Sequence, residues 1–117
     1  MADKKVVNEP TASYGSGNVF ADLGLPNAEE MLAKAKLASA IQDVIDTRGI
    51  TQAEAAELMG LDQPKVSKII RGRLAEFSTE RLLFCLTHLG LDIDIVIHKQ
   101  GSDQRREGKV SVAYAKH

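Results

Sequence analysis

Residues 62–73 hold four cations, Lys65, Lys68, Arg71 and Arg73, against one carboxylate, Asp62. That is a local charge of +3 in a chain whose formal total is -1. If a helix starts at residue 63, Gln63, Ser67 and Lys68 fall at i, i+4 and i+5 on one side, turned away from Val66 and Ile69. A glutamine amide can grip the N6 and N7 edge of adenine with two hydrogen bonds, and a lysine can donate to guanine O6 and N7. Pro64 offers an apolar surface suited to a thymine methyl. Together these side chains could read base edges in a nucleic-acid groove. The bland alternative is a solvated basic helix face.

Other reactive residues form weaker patterns. Cys85 and His88 stand at i, i+3, as two metal ligands could, but no second pair follows at a matching spacing. Core packing for Cys85 and a rim position for His88 are the better expectation. Asp92 and Asp94 share the solvent side of an alternating segment, with no acid or base in the pattern beside them. The chain offers no activated nucleophile, general base or phosphate loop, so an enzyme, a metal site and a cofactor are not expected. Its single cysteine cannot close an internal disulfide, which fits a reducing cytoplasm.

The elements that must position the basic segment are marked by caps. Asn27 and Glu30 have capping-box spacing, with Pro26 and Met31 at staple positions, and open a helix over residues 28–48 whose apolar positions include Met31, Ala35, Ala38, Ile41, Val44 and Ile45. Gly49 ends it. Thr51 and Glu54 form a second capping box, and Gly60 stops the helix they begin. Asp62 caps the basic helix, which Gly72 ends, and Ser78 caps a fourth helix to about residue 89, with Phe77 and Leu82 as its staple. In LDIDIVIH, residues 91–98, apolar and polar side chains alternate, predicting a strand; its backbone needs a partner, and the same strand of a second subunit across a two-fold axis is the natural one. With aromatics at 4% and no Trp, the core must rest on Leu, Ile, Val and Ala.

Two short helices joined by Gly60, Leu61 and Asp62 are the outline of a helix-turn-helix, with Ala56 small where the helices cross and Leu61, Val66 and Ile69 closing the angle. The stretch TQAEAAELMGLDQPKVSKIIRG resembles the helix-turn-helix of the Cro and phage-repressor (XRE) family. This resemblance implies an all-α fold, a compact helical bundle of the lambda-repressor type, here with a C-terminal strand able to pair across a dimer. It also implies base readout at Gln63, Pro64 and Lys68 and a phosphate contact at Gln52. Helix N-termini favour phosphate independently, which supports Gln52. The flanking stretches GNVFADLGLPNAEEMLAKAKLA and LGLDIDIVI are similar to antitoxins of the HigA type. That likeness implies a dimeric repressor of its own operon, partnered by a RelE/HigB-type ribonuclease toxin.

The expected organisation is a flexible arm over residues 1–25, a DNA-binding domain over 26–98 with its dimerisation strand at 91–98, and a loose basic tail over 99–117, where residues 110–114 could add a short strand. Val19, Phe20, Leu23 and Leu25 are expected to tuck onto the following helices rather than serve a partner. The start lacks the apolar run of a secretory signal, and no stretch reaches the ~20 apolar residues of a membrane span, so a soluble cytoplasmic protein is expected.

The expected function is therefore a sequence-specific regulator that binds double-stranded DNA at a palindromic operator through Gln52, Gln63, Pro64, Lys65, Ser67, Lys68, Arg71 and Arg73. The alternative is an interaction module that grips a protein partner without binding DNA. The near-neutral total does not exclude DNA, because positive charge is gathered in residues 62–73 and again, at +3, in residues 99–117.

Overall fold

The computed structural model describes residues 18–99 and 107–115. Among the described residues, five helices follow in order: α1 (Val19–Asp22), α2 (Ala28–Arg48), α3 (Gln52–Met59), α4 (Gln63–Ile70) and α5 (Thr79–His88). The long α2 is the spine, packing against α1, α4 and α5, while α3 sits against both α4 and α5.

Three of the helix starts follow from local chemistry. Thr51 Oγ1 accepts the Glu54 amide at 3.0 Å while Glu54 Oε1 accepts the Thr51 amide at 2.8 Å. Asp62 Oδ1 and Ser78 Oγ accept the amides of Lys65 and Arg81, each at 3.0 Å. Each contact satisfies a donor left over in the first turn, an effect of about 1 kcal/mol per cap. Gly60, at φ 70°, turns the chain from α3 towards α4 in the left-handed region, where glycine meets no Cβ penalty.

The core joins these helices. Phe77, Ile41, Ile69, Leu82, Leu89 and Val66 are its largest fully buried side chains, with Met59 and Cys85 also inside. Phe77 and Leu82, at the staple positions across the start of α5, are both buried in it. Ala55 as well as Ala56 is buried, so two small residues in succession allow the close approach of α3 to its neighbours.

Several expectations need correction. Asn27 is not a side-chain cap: it adopts φ 58° and ψ 35°, and its side chain makes no capping bond. An N-cap needs extended backbone to bring its side-chain oxygen over the first-turn amides, and the tight turn from α1 does not provide it. The connection is instead held by Asn18, a buried polar residue. Its Oδ1 accepts the amides of Phe20 and Ala21, and its Nδ2 donates to the Ala28 carbonyl at 3.1 Å.

Residues 18–25, read as the end of an arm, thus include an ordered helical turn; residues 1–17 lie outside the described residues. The apolar group on this turn does not tuck in as a unit. Phe20 is half-buried, whereas Val19, Leu23 and Leu25 are 59%, 69% and 40% exposed. One turn lying on α2 has a single side to bury.

The strand over residues 91–98 is also corrected: no strand is present among the described residues. Leu91 and Ile93 pack against the helical core, but Ile95, Val96 and Ile97 are exposed. A ladder needs a second row of backbone donors and acceptors, and the helices of one chain supply none. The tail is not loose throughout. Within residues 107–115, Val112 packs against the core and the Tyr114 hydroxyl donates to Asp43 Oδ2 at 3.0 Å, laying this segment along α2 without forming a strand.

Cys85 lies on the buried side of α5. Burial pushes its thiol up from the ordinary value, an effect that nearby Arg81 partly opposes. A disulfide reagent such as DTNB is therefore expected to modify the folded protein at least about a hundredfold more slowly than the urea-unfolded chain, because attack requires both opening and a thiolate. Equal rates in the two states would mean that α5 is not packed as described.

Candidate nucleic-acid interface

The exposed end of α4 follows from what the helix buries. Val66 and Ile69 are fully inside, and Leu61 and Ile70 pack at the edge of the core, which fixes the rotation of α4 about its axis. Gln63 and Pro64 are consequently exposed at its first turn, Arg71 and Arg73 are exposed beyond its end, and Lys65, Ser67 and Lys68 are half-buried between them. Gln52 is half-buried at the first position of α3. The sequence-derived residues therefore fall at the start of α3, along α4 and on the segment leaving α4.

Backbone contacts hold that exit. The Arg71 amide donates to the Ser67 carbonyl at 3.0 Å, and the Arg73 amide to the Lys68 carbonyl at 2.9 Å. Arg71 Nε also donates to the Ser67 carbonyl at 3.4 Å, a long contact that turns the side chain back along α4. Gly72, at φ 78°, makes the reversal between the two arginines.

One residue at this surface escapes a reading by helical spacing. Glu76 lies in the loop between α4 and α5, and its Oε2 accepts a hydrogen bond from Lys68 Nζ at 2.8 Å. The Lys68 hydrogen bond holds the Glu76 carboxyl below its ordinary value; burial opposes it, and the charges of Lys68, Lys65 and Arg81 add attraction. The loop is fixed by its neighbour Phe77, which is 1% exposed and carries the Arg81 guanidinium 5.7 Å from its ring centre. Eight residues separate Lys68 from Glu76, too many for one helix face. The sequence signal was a lone acid between Asp62 and Glu80, facing four bases.

His88 is exposed at the end of α5, with Nδ1 2.6 Å from the Phe84 carbonyl, and Cys85 is buried. Among the described residues no group of three or more His, Cys, Asp or Glu side chains is placed to hold a metal ion. No helix among them is long and apolar enough to cross a membrane.

This arrangement can do one kind of chemistry well. A helix with polar, donor-bearing side chains at its exposed N-terminal end, flanked by cations, can enter a major groove while neighbouring amides and cations meet phosphates. Comparison with known proteins agrees with the geometry. A family model described as a helix-turn-helix domain matches residues 19–98, beginning at α1 and running past the end of α5. None of the curated proteins matches. A solved structure described as "Putative XRE Family Transcriptional Regulator" is 42% identical, with a TM-score of 0.68, covering 77% of this chain and 100% of that one.

Proposed function

Because this chain belongs to the helix-turn-helix domain family, we propose that it is a sequence-specific DNA-binding transcriptional regulator that acts as a dimeric repressor. The observation that carries this reading is the exposed N-terminal end of α4, with Gln63 and Pro64 outward and Lys65, Ser67 and Lys68 following. In the proposed complex α4 lies in the major groove. Gln63 donates and accepts at a base edge, Lys68 donates to one, and Pro64 meets a thymine methyl. Gln52, Arg71 and Arg73 fix the register on phosphates, and Lys65 and Ser67 line the approach. The similarity of the XRE-described structure supports the assignment.

Dimerisation completes the proposal. Leu91 and Ile93 are seated on the core while Ile95, Val96 and Ile97 stand out in water, and this exposed apolar segment favours a second copy that covers it. A two-fold dimer binds a palindrome with half-sites about 34 Å apart. Selection from a randomised duplex pool, followed by sequencing, tests both statements. The expected product is a palindrome of that spacing. A lone half-site would remove the dimer, and a pool with no enrichment would remove sequence-specific binding.

A finer reading makes the protein the antitoxin of a toxin–antitoxin pair that neutralises a RelE/HigB-type ribonuclease. It rests on the likeness of residues 17–38 and 89–97 to HigA-type antitoxins, and the exposed Val19, Leu23 and Leu25 on and just after α1 favour a protein partner there. Co-expression with the product of the adjacent reading frame decides it: a tight complex supports the antitoxin, and separate elution rejects that partner. A complex that never shifts a duplex would favour the interaction module instead.

A further inference from the structure

The only carboxylate between Asp62 and Glu80 is Glu76, and it is bonded to the lysine placed to read a base. Both side chains of this pair are 45% exposed, so the pair is not part of the core. Its position is nevertheless set: Phe77 anchors one side of the loop, and the bond from the Arg73 amide to the Lys68 carbonyl ties the other side to α4.

We propose that Glu76 is a specificity-determining residue that holds Lys68 off the phosphates of non-cognate DNA and yields it only where a base edge replaces the carboxylate. The effect is electrostatic. A flexible lysine beside any duplex gains affinity by neutralising a phosphate and releasing a counterion, and that gain carries no sequence information. A carboxylate 2.8 Å from Nζ already neutralises this lysine, so a phosphate must displace it and also approach a negative charge. At a cognate site the guanine O6 and N7 pair offers Lys68 two fixed acceptors in the groove, away from the phosphate charge. The carboxylate thus lowers binding everywhere, and lowers it most where the lysine would be used without discrimination.

This inference rests on the DNA-binding reading, and four proteins separate the two: the parent, Glu76→Gln, Lys68→Ala and the double variant. Each is titrated, over a range from about 50 to about 500 mM salt, against the duplex enriched by the parent and a scrambled duplex of the same length and composition. Glu76→Gln is expected to bind the scrambled duplex roughly fivefold to tenfold more tightly at 0.1 M salt, with a log–log salt slope steeper by about 0.9, one additional phosphate contact. That increment should vanish in the double variant, while Lys68→Ala alone leaves the parent's slope on scrambled DNA unchanged. The preferred duplex gains less, so the specificity ratio falls.

Unchanged scrambled-duplex affinity and slope in Glu76→Gln would overturn the proposal. So would an increment that persists without Lys68, since Glu76 would then act by simple repulsion. A selective loss on the preferred duplex would overturn it too, making Glu76 itself a base contact. If the parent binds neither duplex, the DNA-binding reading has failed, and the gate fails with it.

Discussion

Lys68→Ala is expected to lose discrimination at one base pair of each half-site by about 1–3 kcal/mol, the cost of one good base contact. The loss should be local. Lys68 is half-buried at the surface of α4, and its backbone bonds do not depend on the side chain, so the domain should keep its stability. Affinities for the selected duplex and its single-base-pair variants measure the effect: one position becomes permissive while the others keep their order. Gln52→Ala supplies the contrast. Its amide is placed at the first position of α3, where a phosphate rather than a base is expected, so all duplexes should weaken about equally. Because glutamine is uncharged, the salt slope should not change. If Lys68→Ala retained the parent's full base preference, Lys68 would be a cation of the helix face and not a reader.

The second large effect lies in the core. Phe77→Ala removes one of the largest fully buried side chains, between the loop that carries Glu76 and the first turn of α5. Truncation of a buried phenylalanine costs about 3–5 kcal/mol. A domain of this size has a total of about 5–15 kcal/mol, so the variant should be near the edge of folding at 25 °C. Urea titration followed by circular dichroism reads the shift of midpoint. Phe77→Leu, which keeps most of the volume, should cost less than about 1.5 kcal/mol. A Phe77→Ala protein as stable as the parent would contradict the placement of this ring at the centre of the core.

These effects trace back to sequence unevenly, and the division is physical. Thr51, Asp62 and Ser78 were legible because each cap acts within three residues, on amides whose position the helix itself fixes. The helix over residues 28–48 was legible from its periodicity and from Gly49, although its assumed cap was not. Whether Asn27 can cap depends on the direction from which the chain arrives, and that is set by Asn18, which holds the Ala28 carbonyl ten residues along the chain. Residues 91–98 show the opposite failure. Alternation marks a side-chain preference but does not provide a partner, so Leu91 and Ile93 settle on helices and the remainder stands exposed.

The same distinction holds at the candidate interface. Gln63, Pro64, Lys65, Ser67 and Lys68 could be assigned to one helix from spacing alone, and the burial of Val66 and Ile69 sets the side that Gln63, Ser67 and Lys68 share. Glu76 could not be assigned in this way. Its contact with Lys68 exists because Gly72 reverses the chain and Phe77 pins the loop, both tertiary facts. A residue pattern located the basic helix; only the folded loop brought Glu76 to its Lys68.

The central claim, that α4 is the element that enters the groove, is tested most directly by nuclear magnetic resonance. Amide shifts of the labelled protein would be followed during titration with the selected duplex. The expected result is that the largest changes cluster at Gln63 to Lys68, with a second group at Gln52 and at Arg71 to Arg73, and that α1 and the outer face of α2 stay still. Perturbations concentrated on α1 or on residues 107–115, with the α4 amides unmoved, would contradict it.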